Sequence, residues 1–163
     1  MLATILVEFP WMTTVALVGL VVVGPLAGAW LAPRSRMTGV LLGLSTLVIA
    51  LATLFPASGE PVVGCTIEWD FPTLGAVELM GNLVLFVPAV LLAGVLTQRP
   101  LGVLIAASGA SLLVEVIQAF ATVLGRSCST NDWLSNTLGA LLGTVLAAAA
   151  LRIARPTARP QQV

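Results

Sequence analysis

An all-α, polytopic membrane helix bundle with about five transmembrane helices is the fold class this chain predicts. Three observations carry that prediction. The 163 residues are 58% hydrophobic and 9% charged, with a mean hydropathy of +1.07, whereas a soluble domain carries roughly a quarter charged residues. Five runs are long and apolar enough to cross a hydrocarbon core, which takes about 20 helical residues. Prolines stand at the ends of most of those runs, where a helix tolerates them.

In order, the runs are Trp11–Leu31, Thr38–Phe55, Glu78–Leu96, Leu101–Leu124 and Trp133–Leu151. Pro33, Pro56, Pro100 and Pro156 fall just beyond or between them. Pro25 and Pro88 lie inside the first and third runs and predict kinks there. The leader MLATILVEFPW has no Lys or Arg and contains Glu8, so it lacks the positive start of a signal peptide. The first run therefore reads as a retained span. Residues 1–155 form a single transmembrane domain, and 156–163 read as a disordered cytoplasmic tail held near anionic headgroups.

Arginines set the expected orientation. Arg34, Arg36, Arg99, Arg152, Arg155 and Arg159 share one side of a five-span layout, leaving only Arg126 on the other. The positive-inside rule makes the first side cytoplasmic, so the N-terminus lies outside and the C-terminus inside. Glu8, Glu60, Glu68, Asp70 and Asp132 then fall outside, and Pro56–Val77 becomes a long outer loop. Within it, Trp69 and Phe71 read first as part of a solvated connector and second as interfacial anchors.

Absences narrow the chemistry. There is no His and no Tyr, and all seven basic residues are arginine. A Ser–His triad, a Ser–Lys dyad and a Schiff-base lysine are excluded within one chain, as are zinc sites built on His. Net charge is zero and no basic stripe exists, so no nucleic-acid partner is expected.

The fourth run holds the sharpest signal. Ser108, Ser111, Glu115, Gln118 and Thr122 recur every three or four residues, which puts them on one helical face. A charged side chain at mid-bilayer costs about 2.5–3.5 kcal/mol or more, so a polar stripe on an apolar helix must face protein or water. Counting from Leu124, Glu115 sits roughly 13 Å below the outer end. The third run opens with Glu78 and carries Asn82 one turn on; the fifth follows a CSTNDWLSN start in which Ser129 or Asn131 can cap, with Asp132 and Asn136 next. Gly139 and Gly143 in GALLG allow close approach of another backbone.

Two readings of this convergence stand side by side. In one, the polar groups only bond helices together, with Arg126 paired to Glu115 or Asp132. In the other, they form a pocket opening outward. Interhelical hydrogen bonds average about 0.6 kcal/mol, a small return for so many ionisable groups, and favour the pocket. There Glu115 or Asp132 would accept or donate a proton, Arg126 would hold an anionic group, and Glu78, Asn82, Ser111, Gln118 and Asn136 would contact the ligand. Three carboxylates without a dense ligand loop are weak grounds for a cation, so no metal and no cofactor is expected.

Cys65 in the long loop and Cys128 in the next outer loop would both face an oxidising space. Either they bridge, clamping the loop over the polar groups, or they remain two separated thiols; the shared side favours the bridge.

The strings ELMGNLVLFVPAVLL, SLLVEVIQAF and RSCSTNDWLSNTLGALLG resemble the VanZ-like family of bacterial membrane proteins. The matching positions are Asn82, Phe86 and Pro88, then Ser111, Glu115 and Gln118, then Arg126, Asp132, Asn136 and Gly139. The resemblance spans about residues 78–143, and the SCST between Arg126 and Asn131 departs from it. It implies a bacterial inner-membrane protein with a cell-envelope role. One family member is associated with low-level resistance to the glycopeptide teicoplanin, while many relatives have no resistance context. The expected partners are the bilayer and an envelope lipid or peptidoglycan-related ligand, with the oligomeric state open. The alternatives are a non-catalytic scaffold and a small proton-coupled transporter. Against transport, LLAGVL, LGVLIAA and LLGTVLAAAA carry no charge across the inner halves.

Overall fold

The computed structural model describes residues 8–9, 11–56, 64–73, 75–121, 123 and 125–155. Glu60, Thr122, Leu124, Arg159 and the whole 156–163 tail, each assigned a place from sequence, lie outside the described residues. Five helices are each long and apolar enough to cross a membrane. They are α1 Trp11–Leu31, α2 Ser35–Leu54, α3 Val77–Thr97, α4 Pro100–Phe120 and α5 Thr130–Ala154. The expected all-α bundle is the architecture found. Pro25 and Pro88 lie inside α1 and α3, which continue through them.

Local chemistry explains the helix ends. Gln98 ends α3 in the left-handed region, at φ 59°, which reverses the chain within two residues. Pro100 then opens α4 at a position whose missing N–H has no partner to lose. Ser129 caps α5, its Oγ accepting the Asn131 N–H at 3.2 Å, and Asp132 sits in the first turn where the helix dipole favours a negative charge.

The core is the seam between α3 and α5. Val87, Leu91 and Val95 pack against Leu146, Ala147, Ala150 and Leu151, all buried. Gly139 and Gly143 bring the two backbones together. A Cβ at Gly139 would collide with the Leu83 carbonyl, and one at Gly143 would stand 2.7 Å from the Val87 carbonyl oxygen. Small residues let helices approach where lipid, as apolar as leucine, supplies no hydrophobic drive to pack them. The outer faces of α1, α2 and α4 present Val22, Leu26, Leu44, Leu51, Leu101 and Ile105. Those apolar faces suit a hydrocarbon surrounding.

One end of the bundle gathers Arg34, Arg36, Arg99, Arg152 and Arg155; there the ends of α1 and α5 meet the α3–α4 turn. At the other end, Cys65–Thr66 (β1) and Cys128–Ser129 (β2) pair as parallel strands with Cys65 opposite Cys128. The two cysteines form a disulfide, with their Cα atoms 4.5 Å apart. The expected reach of the fourth helix is corrected. α4 ends at Phe120, short of the expected end, and the chain next pairs with β1 at Cys128 and Ser129. No local signal in ATVLGRS announces a partner more than sixty residues away in sequence.

Candidate functional site

α4 is inverted relative to a soluble helix. Its buried residues are Ser111, Glu115 and Gln118, while Leu112, Leu113, Val116, Ile117 and Phe120 are exposed. In water that arrangement would be costly; in lipid it is the arrangement the solvent selects. Glu115 is only 4% exposed.

Glu115, Asn82 and Asn136 each have a specific partner. Glu115 Oε2 accepts the backbone N–H of Ser129 at 2.9 Å. Since α4 ends five residues further on, Glu115 lies about 7.5 Å below that end, shallower than the sequence predicts. Asn82 on α3 donates from Nδ2 to Asp132 Oδ1 at 2.7 Å, one turn from the exposed Glu78. Asn136 on α5 donates from Nδ2 to the Ser111 hydroxyl at 2.9 Å. Beside that pair, Ser108 and Thr137 share a hydroxyl hydrogen bond at 2.9 Å, and Trp133 Nε1 donates to the Ser108 carbonyl.

Two of the expected ligand-binding residues, Gln118 and Arg126, bond to main-chain carbonyls at the end of α2. Gln118 Nε2 donates to the Thr53 carbonyl at 2.8 Å, and Arg126 Nε to the Phe55 carbonyl at 3.0 Å. Both satisfy carbonyls left open at the C-terminus of α2, where a cation is favoured by the helix dipole. Among the described residues no salt bridge joins Arg126 to Glu115 or Asp132; Arg126 acts on Asp132 only through longer-range charge attraction. The chain folds across toward β1 and carries Arg126 over α2 instead. Its terminal guanidinium nitrogens have no hydrogen-bond partner among the described residues.

Segment 65–70 forms a cover over the start of α5, tied by the Cys65–Cys128 disulfide as the bridged reading of the two cysteines expects. Thr130 Oγ1 accepts the Glu68 N–H at 2.8 Å, and Asn131 Oδ1 accepts the Asp70 N–H at 2.8 Å. Asn131 Nδ2 reaches the Asp70 carboxylate at 3.2 Å, and Trp69 meets Trp133 edge to face with centroids 6.4 Å apart. Beside the two cysteines, the sequence carries a second trace of this cover in its alternation: Ile67, Trp69 and Phe71 are exposed and apolar, while Glu68 and Asp70 between them bond to the start of α5.

Beneath the cover, two buried atoms have no hydrogen-bond partner among the described residues: Ser135 Oγ and Asn136 Oδ1. Buried polar atoms are rarely left so, since each costs about 1–3 kcal/mol. The arrangement therefore combines two carboxylates, each holding a single hydrogen-bond donor, with an amide oxygen and a hydroxyl that remain open. Such a set can accept hydrogen bonds from a ligand and hold or pass a proton.

No curated protein matches the chain, and no solved structure does. A family match is nevertheless clear. The VanZ/LLP1 family model matches residues 45–152, running from the middle of α2 almost to the end of α5 and extending beyond the 78–143 stretch that carries the motifs. Five membrane-length helices and this match together describe a multi-pass membrane protein. With more than half of its length matched, the chain belongs to the VanZ/LLP1 family.

Proposed function

We propose that this protein sits in a bacterial inner membrane with the Cys65–Cys128 end outside, and that it binds or modifies an envelope component there. The observation that carries the reading is the burial of Glu115 on the lipid-span helix α4 beneath a disulfide-tied cover, with Asp132 one turn along α5 from the Ser129 that bonds it. An oxidising exterior agrees with the disulfide, and the arginine-rich opposite end agrees with a cytoplasmic face. Asn82, Ser111 and Asn136 would orient the ligand, and the free nitrogens of Arg126 would meet an anionic group. A lipid-linked or peptidoglycan-related molecule fits a site at this depth. Altered glycopeptide susceptibility, teicoplanin included, is the phenotype to look for.

A second reading is a non-catalytic scaffold. It is favoured by Gln118 and Arg126, whose side chains bond to the end of α2. The two readings separate in cells. Wild type, a deletion and Glu115→Ala, expressed at equal levels, are compared for glycopeptide susceptibility and envelope lipid composition. The site reading expects Glu115→Ala to behave like the deletion. A point variant that behaves like wild type removes it.

A further inference from the structure

A cleft at the arginine end takes no part in the polar site. Its volume is about 390 Å³, and Ala29, Ala32, Pro33, Gln98, Leu151 and Arg155 are among the residues that line it. Three separate stretches of chain meet there: the α1–α2 turn, the α3–α4 turn and the end of α5. Each brings arginine. Arg34 and Arg36 follow Pro33, Arg99 follows Gln98, and Arg155 lines the cleft with Arg152 one turn before it. No carboxylate occurs in any of these stretches; the described ones of the site and its cover, Glu68, Asp70, Glu78, Glu115 and Asp132, belong to the opposite end.

Only one of these guanidinium groups is engaged within the described residues. Arg34 stacks on Trp30 at 3.9 Å and donates to the Trp30 carbonyl. Among the described residues, those of Arg36, Arg99, Arg152 and Arg155 have no hydrogen-bond or ion-pair partner. Arg155 lines the cleft itself, and the other arginines stand on the stretches that meet there. Like charges gathered without counter-charge beside an apolar wall call for an anion that also carries apolar surface. Guanidinium groups match phosphate oxygens in pairs, and basic pockets between spanning helices are suited to anionic headgroups. The cleft is at the small end of ligand-site volumes, large enough for a headgroup and its glycerol but not for a whole lipid.

We infer that this cleft holds the phosphate headgroup of an anionic phospholipid from the adjoining leaflet. Arg155 and Arg99 hold the phosphate, and the wall of Ala29, Ala32 and Leu151 meets the glycerol and the first acyl carbons. A lipid is favoured over free phosphate by that wall, and by Trp30, an exposed tryptophan of the kind that marks headgroup depth. The inference is independent of what the polar site does.

The test uses the full-length protein purified in mild detergent, incubated with equal amounts of phosphatidylglycerol and phosphatidylcholine, and weighed intact by native mass spectrometry. Wild type should retain phosphatidylglycerol in preference. Each arginine near the headgroup is worth about fivefold in binding, so Arg99→Gln with Arg155→Gln should cut retention about 25-fold. If the double variant does not elute as a folded, disulfide-bonded protein, Arg155→Gln alone should show about a fivefold loss. Equal retention of both lipids by wild type, or undiminished retention by the folded variants, overturns the proposal. So does displacement of the lipid by inorganic phosphate, which would assign the cleft to a free anion.

Discussion

The Glu115 carboxylate on α4 accepts the backbone N–H of Ser129 at 2.9 Å, one residue beyond the Cys128 that bonds to Cys65. A buried side chain, a two-strand ribbon and a covalent cross-link are thus consecutive parts of one assembly. Ser129 also caps α5, so the same residue sets the start of the helix that carries Asp132 and Asn136.

Substituting Glu115 should separate stability from function. Glu115→Ala leaves the Ser129 N–H without its acceptor and should cost about 1–3 kcal/mol in a thermal or denaturant melt. Glu115→Gln keeps a carbonyl oxygen for that N–H and should melt close to wild type. If the carboxylate acts on a ligand, both variants lose function alike; if it only packs helices, Glu115→Gln keeps it.

The disulfide should hold the cover more than the bundle. Cys65 and Cys128 are 63 residues apart in sequence, and closing such a loop stabilises a soluble protein by about 2–4 kcal/mol. Here α3 and α4 lie within the loop and stay in the membrane when it opens. Replacing both cysteines by serine should therefore speed amide exchange at residues 65–70 and at Ser129 while leaving the α3–α5 seam protected. Uniform loss of protection along α3 would contradict this.

At the seam itself, Gly139→Ala drives a methyl group into the Leu83 carbonyl and should cost about 1–3 kcal/mol. A Cβ at Gly102 would meet nothing within 4 Å, so Gly102→Ala should shift stability by less than about 0.5 kcal/mol. Parallel melts in the same detergent compare the two.

Asn82 and Asp132 should be coupled, since their hydrogen bond at 2.7 Å joins α3 to α5. A double-mutant cycle with Asn82→Ala and Asp132→Ala should give about 0.6–1.7 kcal/mol, from the average to the largest coupling measured for polar pairs between membrane helices. Strict additivity would mean that the pair contributes nothing to the bundle.

Much of the bundle is legible in the chain because lipid leaves a simple record. α1 runs from Trp11 to Leu31 as its apolar stretch reads, and the three-and-four spacing of Ser111, Glu115 and Gln118 marks the buried face of α4. GALLG likewise announces a close backbone contact without naming α3 as the neighbour. The partners are harder to read. Gln118 and Arg126 bond to the Thr53 and Phe55 carbonyls, and Glu115 bonds to an amide N–H; main-chain groups carry no sequence signature. The pairing of β2 with β1 that follows α4 is equally hard to read, since it joins main-chain groups more than sixty residues apart.

The claim on which everything else rests is that the disulfide-tied cover and the polar groups under it face outward. Thiol labelling in intact cells with a membrane-impermeant maleimide tests it most directly. Cys65 and Cys128 should be labelled after brief reduction and resist labelling without it. Labelling that requires permeabilised cells would place this end in the cytoplasm, and labelling without reduction would mean that the bridge is not made.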